Sequence, residues 1–362
     1  MINILKALER FFLFILGLLP PEFSHNIVIL MLKSGLTKTK KLKFKRLNVE
    51  LLGYKLSNPI GLAAGFDKNA EALKGLIKLN FSHIEIGTVT PLAQAGNIKP
   101  RVHRFKKKKM VINSLGFPNK GSDNVLVNLK RIRKHHTLGK EPIIGVNVGC
   151  NKNTSNQTND FLICIKKFYE VSDYITINIS SPNTPGLRKL QEKRRLQQLL
   201  HAIKNLKIKL SKDYNRKVPF VLKISPDIDP KSLDYILQEC VKHKFKALII
   251  SNTSLNEKKS YDKSISSLNG GLSGKPLFKI SNELLEKAFK KANKRVQLIG
   301  VGGILDTENI ISKINYGADA VQVYSGLIFK GSTLVDQALL EMNNYMRNMK
   351  FEKLSELKKE KV

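Results

Sequence analysis

Short apolar runs recur along this chain and alternate with longer amphipathic segments. Runs rich in Ile, Val, Leu and Ala fall at 59–63, 83–87, 143–148, 174–177, 219–224, 247–250, 297–301 and 320–323. Most lack polar alternation, as parallel strands covered on both faces do. Helix-like segments follow at 69–79, 122–135, 160–171, 190–210, 230–243, 281–292, 306–315 and 334–349. Eight strands alternating with helices predict an α/β fold, a (β/α)8 TIM barrel, and 362 residues suffice for one with additions.

The ends of the apolar runs carry the chemistry. The fourth leads into Asn178-Ile179-Ser180-Ser181-Pro182-Asn183-Thr184-Pro185-Gly186, which alone also fits an ordinary polar turn. The other exits are Gly65-Phe66-Asp67-Lys68, Thr88, Asn147, Lys223, Ser251-Asn252-Thr253, Gly302-Gly303 and Tyr324-Ser325-Gly326. In such a barrel the C-terminal ends of the strands form the reactive face, so polar or glycine-rich exits on every strand point to a site. Gly302-Gly303 and Ser325-Gly326 follow strands seven and eight, where backbone amides commonly hold a phosphate. Gly270 to Gly274 reads as a further flexible, amide-rich loop. Any one of these glycines can serve a tight turn; together they imply a phosphorylated substrate or cofactor.

Charge changes the picture less than its size suggests. Lys and Arg number 63 against 29 Asp and Glu, a net charge of +34. That balance raises the alternative of a nucleic-acid-binding protein. The lysines are dispersed, however, and no helix-turn-helix, zinc-finger or RNA-binding motif accompanies them. Lys106–Lys109 is the one tight cluster and reads as a solvated loop. Cys150, Cys164 and Cys240 have neither metal-ligand spacing nor a disulfide framework, so no metal is expected and a reducing compartment suits them.

Ahead of the barrel, Lys6, Glu9 and Arg10 precede an apolar run from Phe11 to Leu19, which Pro20-Pro21 stops. A second apolar segment spans 25–33. Neither reaches the roughly 18–20 residues needed to span a bilayer, and no small-residue cleavage site follows the first. Two readings fit: a buried helical hairpin, or a monotopic helix pair lying in the membrane interface. The chain divides into a helical segment over 1–40, the barrel over 41–345 and a charged C-terminal tail over 346–362.

Several long motifs resemble the dihydroorotate dehydrogenases in their order. They are Ala63 to Lys68, Ile84 to Thr90, Asn113 to Phe117, Asn178 to Thr184, Gly270 to Gly274 and Gly300 to Ile304, within a resemblance spanning roughly 45–340. The resemblance implies that the phosphate belongs to FMN and that dihydroorotate is oxidised to orotate for pyrimidine biosynthesis. Ser181 stands where the soluble class 1 enzymes carry a cysteine base, and the extension is similar to that of the quinone-dependent class 2. Class 2 implies a membrane quinone as acceptor, a tunnel between the helices, and peripheral attachment to the lipid surface on the cytoplasmic face of the cell membrane, without nucleic acid. The alternatives are a class 1 enzyme using fumarate or NAD, and another FMN barrel oxidoreductase.

By the same resemblance Ser181 is the base for the substrate C5 proton, in need of help because a free hydroxyl is a weak one. Lys68, Asn113, Ser114, Leu115, Gly116, Phe117, Asn178, Asn183, Asn252 and Thr253 match substrate positions. Ala64, Gly65, Phe66, Asp67, Lys68, Thr88, Asn147, Asn178, Lys223, Ser251, Gly274, Gly303, Tyr324 and Ser325 match FMN positions. His25, Arg104 and Tyr324 match residues near the quinone. Three positions depart from the pattern: Ser114 replaces a frequent arginine, Cys150 a frequent lysine and Ser251 a frequent threonine.

Overall fold

The computed structural model describes residues 11–37 and 39–361; Lys6, Glu9 and Arg10 lie outside them. Eight parallel strands close a barrel: β1 Ile60–Leu62, β2 His83–Val89, β3 Ile143–Val148, β4 Tyr174–Asn178, β5 Phe220–Ile224, β6 Ala247–Ile250, β7 Gln297–Val301 and β8 Ala320–Val323. Each pairs with the next, and β8 pairs back onto β1. The strands are buried almost throughout, because helices cover their outer faces and side chains fill the interior.

The surrounding helices start where the sequence supplies caps. Asn156, Asp229 and Asp306 accept the backbone N–H three residues on, at the heads of Gln157–Phe168, Pro230–Lys242 and Thr307–Asn315. The helix expected over 69–79 is reduced to the single turn Leu73–Leu76. Asp67 is the reason: its carboxylate accepts the amides of Asn69, Glu71 and Ala72 at 3.3, 3.0 and 2.8 Å, holding 67–72 as a loop.

Each barrel mouth is closed differently. At the N-terminal mouth an antiparallel ribbon, Val49–Leu51 with Tyr54–Leu56, packs Leu51, Leu52 and Leu56 against Ile143, Tyr174, Val221 and Ala247. Over the C-terminal mouth lies a three-stranded antiparallel sheet of Val102–Phe105, Met110–Asn113 and Gly271–Gly274. Residues 271–274 are therefore a paired strand and not the flexible loop expected from their glycines. Gly271 sits opposite Asn113, and Gly270, at φ +108°, brings its backbone against the Asn113 carbonyl.

The N-terminal segment is a pair of helices, 11–18 and Pro21–Ser34. Ser24 ties them by donating to the Leu16 carbonyl at 2.7 Å. The second helix packs on Leu73–Leu76, where Gly75 admits the Leu32 backbone: a Cβ there would stand 2.5 Å from the Leu32 oxygen. Leu16 and Leu32 face inward, but Phe11, Phe14, Leu18, Phe23 and Leu30 are all more than half exposed. The pair is not a buried hairpin. No helix among the described residues is long and apolar enough to cross a membrane. At the other end Leu354 and Leu357 are buried against the barrel, and Lys358 pairs with Asp319 at 2.6 Å.

Candidate active site

Inside the barrel, below its C-terminal mouth, a ladder of hydrogen bonds rises from one carboxylate. Glu85 on β2 is fully buried and accepts from Asn147 at 2.7 Å, Thr176 at 2.9 Å and Gln322 at 3.2 Å. The Asn147 oxygen accepts from Thr88 at 2.6 Å and from Asn178 at 3.1 Å. The Asn178 oxygen accepts the Ser180 hydroxyl at 2.7 Å, and Asn252 donates to Ser180 at 2.8 Å. The ladder fixes which way every amide points, and it crosses from β2 to the loop after β6. Neither Glu85 nor Gln322 was singled out from sequence. The available signal was a polar residue within an apolar strand, as in Ile84-Glu85-Ile86 and Val321-Gln322-Val323.

Above the ladder is a cavity of about 930 Å³ that runs without interruption from Ser181, Lys223 and Gly303 to Leu16, Val28 and Ile29 of the helix pair. Nearly all of the residues expected at the site border it; Ser114 and Asn147 do not. Ser114 takes part through its backbone, its N–H donating to the Arg101 carbonyl at 2.8 Å and its carbonyl accepting from Asn97 at 2.8 Å. Asn147 lies one layer deeper, where it orients Thr88 and Asn178. Asp67 borders the cavity, but its carboxylate is turned to the loop amides and, buried, is pushed up to about 6. Cys150 is buried outside the cavity wall, with its thiol raised to about 12 by burial.

Two lysines supply the positive charge. Lys223 ends β5 nearly enclosed and, among the described residues, its ammonium has no hydrogen-bond partner; burial lowers its pKa while the Glu85 charge opposes the shift. Lys68 donates to the Gly65 carbonyl at 2.7 Å. Burial draws its pKa down to about 8, against the upward pull of Asp67 and Glu22. Lys223 is buried and Lys68 half-buried, and both can meet an anion.

Ser181 is buried beside them, its oxygen accepting the Asn183 amide at 3.2 Å. Asn183 in turn donates to the Asn113 carbonyl at 3.1 Å, which joins the loop after β4 to the sheet over the mouth. Among the described residues the Thr253 hydroxyl and the Gln322 carbonyl oxygen, buried at the cavity wall, find no partner. An orphaned polar atom there fits a site built for a polar guest.

The phosphate cradle can be tested on its glycines. Gly302 and Gly303 have φ of +116° and +75°, and a Cβ on Gly303 would stand 2.5 Å from the Phe278 Cβ and 2.6 Å from its backbone. Only glycine fits there. The cradle, the partnerless Lys223 and the polar ladder suit a planar group carrying a phosphate.

Toward the helices, His25 meets Phe66 edge-on at 5.5 Å, and Phe66 meets Tyr324 at 6.1 Å. His25 is not an ordinary surface histidine: burial and the Lys68 charge lower it to about 3, so its ring is neutral. Burial raises Tyr324 to about 12. Arg104 also borders the cavity, yet its Nη2 donates to the Leu16, Gly17 and Leu19 carbonyls at 3.2, 2.8 and 2.9 Å, capping the first helix. Arg101 pairs with Glu22 at 2.9 Å and holds the second helix to the same sheet.

A closed parallel barrel that gathers glycines after β7, a buried lysine on β5 and a serine just after β4 around one cavity has the architecture of a barrel oxidoreductase. The family model of dihydroorotate dehydrogenase matches residues 46–346, and the chain belongs to that family. It is 44% identical over 332 residues to the dihydroorotate dehydrogenase (quinone) of Bartonella tribocorum, covering 92% of this chain and 91% of that one. Its identity to the enzyme of the same name from Rhizobium meliloti is 43% over 335 residues, covering 92% and 90%. The crystal structure of the Eimeria tenella enzyme in complex with ferulenol superposes with a TM-score of 0.87 at 32% identity, covering 93% of this chain and 94% of that one.

Proposed function

We propose that this chain oxidises (S)-dihydroorotate to orotate in pyrimidine biosynthesis and passes the electrons through FMN to a membrane quinone. The continuous cavity carries this reading: it joins the base and the cations at the barrel mouth to the space between two half-exposed helices. The N-terminal pair lies in the interface of the membrane, on its cytoplasmic face, with its exposed apolar side chains in lipid. Nucleic acid has no place in this scheme.

Lys68 binds the substrate carboxylate, and Asn113, Asn178, Asn183 and Asn252 present donors and acceptors to the pyrimidine edge, with Thr253 beside them. The fixed amide directions of the ladder make that recognition preorganised. Ser181 removes the C5 proton. Among the described residues no histidine or carboxylate is hydrogen-bonded to its hydroxyl, so the proton leaves by solvent or by the bound reactants. Gly303, Gly274 and the amides at Tyr324 and Ser325 would hold the FMN phosphate, with Lys223 beside the site of the ring. When bound, FMN accepts hydride from the substrate and gives electrons to the quinone. Lys223 would supply positive charge there, favouring transfer of electrons into the flavin. On the far side His25 and Tyr324 line the approach for the quinone, and Arg104 acts by fixing the first helix.

Blocking the tunnel tests the reading. Val28→Trp fills the cavity between helices and sheet without touching the barrel mouth. Bleaching of the flavin by dihydroorotate is expected at the normal rate, and turnover with a long-chain quinone is expected to fall at least tenfold. Unchanged quinone turnover would mean that the acceptor reaches the flavin by another path.

A further inference from the structure

The tight lysine cluster has no part in this chemistry. Lys106–Lys109 form the turn between strands Val102–Phe105 and Met110–Asn113, and all four are exposed. A charge run at a hairpin tip is ordinarily a solvated one. Its position sets this tip apart. Arg104, on the strand leading into the turn, is bonded to the carbonyls of Leu16, Gly17 and Leu19. Lys106 itself lies so near the first helix that a Cβ on Gly17 would stand 2.8 Å from its ammonium. The tip is thereby fixed beside a helix whose Phe14 and Leu18 are 62% and 67% exposed.

Among the described residues none of the four lysines forms an ion pair; Asp262 is near enough to Lys108 to feel its charge, and Lys108 leans over the Tyr261 ring at 5.6 Å. A basic tip against an exposed apolar helix matches a surface with anions at its boundary and hydrocarbon beneath. Single-stranded nucleic acid would instead need basic groups tracking a groove with stacking rings.

We propose that Lys106–Lys109 are a headgroup site for anionic lipid, which sets the orientation in which the helix pair docks on the membrane. The proposal rests on the membrane reading of those helices. A lysine held at an anionic surface contributes roughly fivefold in partitioning, so the tip supplies about 30-fold if two lysines face the headgroups and nearly 1,000-fold if all four do. The effect is local, because charge at the membrane is felt only within about 8 Å at physiological salt.

The test is sedimentation of the flavin-loaded enzyme with vesicles of phosphatidylcholine alone and with phosphatidylcholine mixed with phosphatidylglycerol. Two variants are compared. One changes Lys106, Lys107, Lys108 and Lys109 to Gln. The other changes Lys55, Lys140, Lys217 and Lys294, four exposed lysines on the ribbon at the N-terminal mouth or on the loops entering β3, β5 and β7, to Gln. Both lose the same formal charge, and bleaching by dihydroorotate confirms that both are folded. The tip variant is expected to lose about 30-fold or more on anionic vesicles and nothing on neutral ones, with the control nearly unchanged. Equal losses in both variants, or no loss at the tip, would overturn the proposal. Wild-type binding that ignores lipid charge would overturn the tip and leave the membrane reading standing. Failure of the wild type to bind any vesicle would overturn both. Tip-dependent binding to a DNA duplex, with none to vesicles, would assign the cluster to nucleic acid instead.

Discussion

Ser181→Ala removes one hydroxyl from a site that otherwise keeps every group that holds substrate. The oxygen accepts a single, long hydrogen bond from the Asn183 amide at 3.2 Å. Losing it costs about 0.5–1.5 kcal/mol, too little to unfold a barrel of this size. Lys68, Asn113, Asn178 and Asn252 are untouched, so dihydroorotate affinity is expected to stay within a few-fold of wild type. Loss of a general base removes about 10²–10⁴ of the rate, equivalent to about 2.7–5.5 kcal/mol in the barrier. The assay is anaerobic stopped-flow bleaching of the flavin, with substrate varied to separate affinity from the limiting rate. Ser181→Cys is expected to recover part of the rate, with its inflection moved to lower pH because a thiol ionises near 8.5. Bleaching of the alanine variant at close to the wild-type limiting rate would refute the assignment.

Three further outcomes follow from the geometry. Lys68 is a cation below about 8 and loses its charge above it, so kcat/KM for dihydroorotate is expected to fall as pH rises through that value; Lys68→Met lowers kcat/KM and abolishes this alkaline limb, and a persistent limb would assign it elsewhere. Gly303→Val, with a Cβ against the Phe278 backbone at a φ of +75°, is expected to give folded protein by circular dichroism but little bound flavin; stoichiometric yellow protein would put the phosphate elsewhere. Arg104→Ala frees three helix-end carbonyls, a local loss of about 1.5–3 kcal/mol for a charged donor. It is expected to raise the KM for quinone and the protease sensitivity near Pro20 while leaving bleaching unchanged, and an unaltered quinone KM would contradict that role.

The barrel was legible because its strands are buried on both faces and so are written as short apolar runs. Its reactive end was legible because polar residues interrupt those runs at their exits, and the motif from Asn178 to Thr184 carried the family with it. The sheet over the mouth was not. Its strands at 102–105 and 271–274 pair through a partner between them, and a lysine tip and the glycines at 270, 271 and 274 disguise both as loops. Side-chain direction was also beyond reach. Asp67 sits in a matching motif and Arg104 at a matching position, yet one carboxylate caps a loop and one guanidinium caps a helix. Glu85 escaped notice because a single charge in an apolar strand has no pattern; only the closed barrel shows that three neighbours converge on it.

Separating the two half-reactions by location tests the central claim most directly. A protein lacking residues 1–40 keeps the ladder, the lysines, Ser181 and the phosphate cradle, and loses both helices that border the cavity. Dihydroorotate is expected to bleach its flavin at close to the full-length rate. Reoxidation of the bleached flavin by a long-chain quinone in liposomes is expected to collapse, with fumarate and NAD remaining ineffective in both proteins. Full reoxidation by quinone in the shortened protein, or efficient reoxidation by fumarate or NAD in either, would contradict the account.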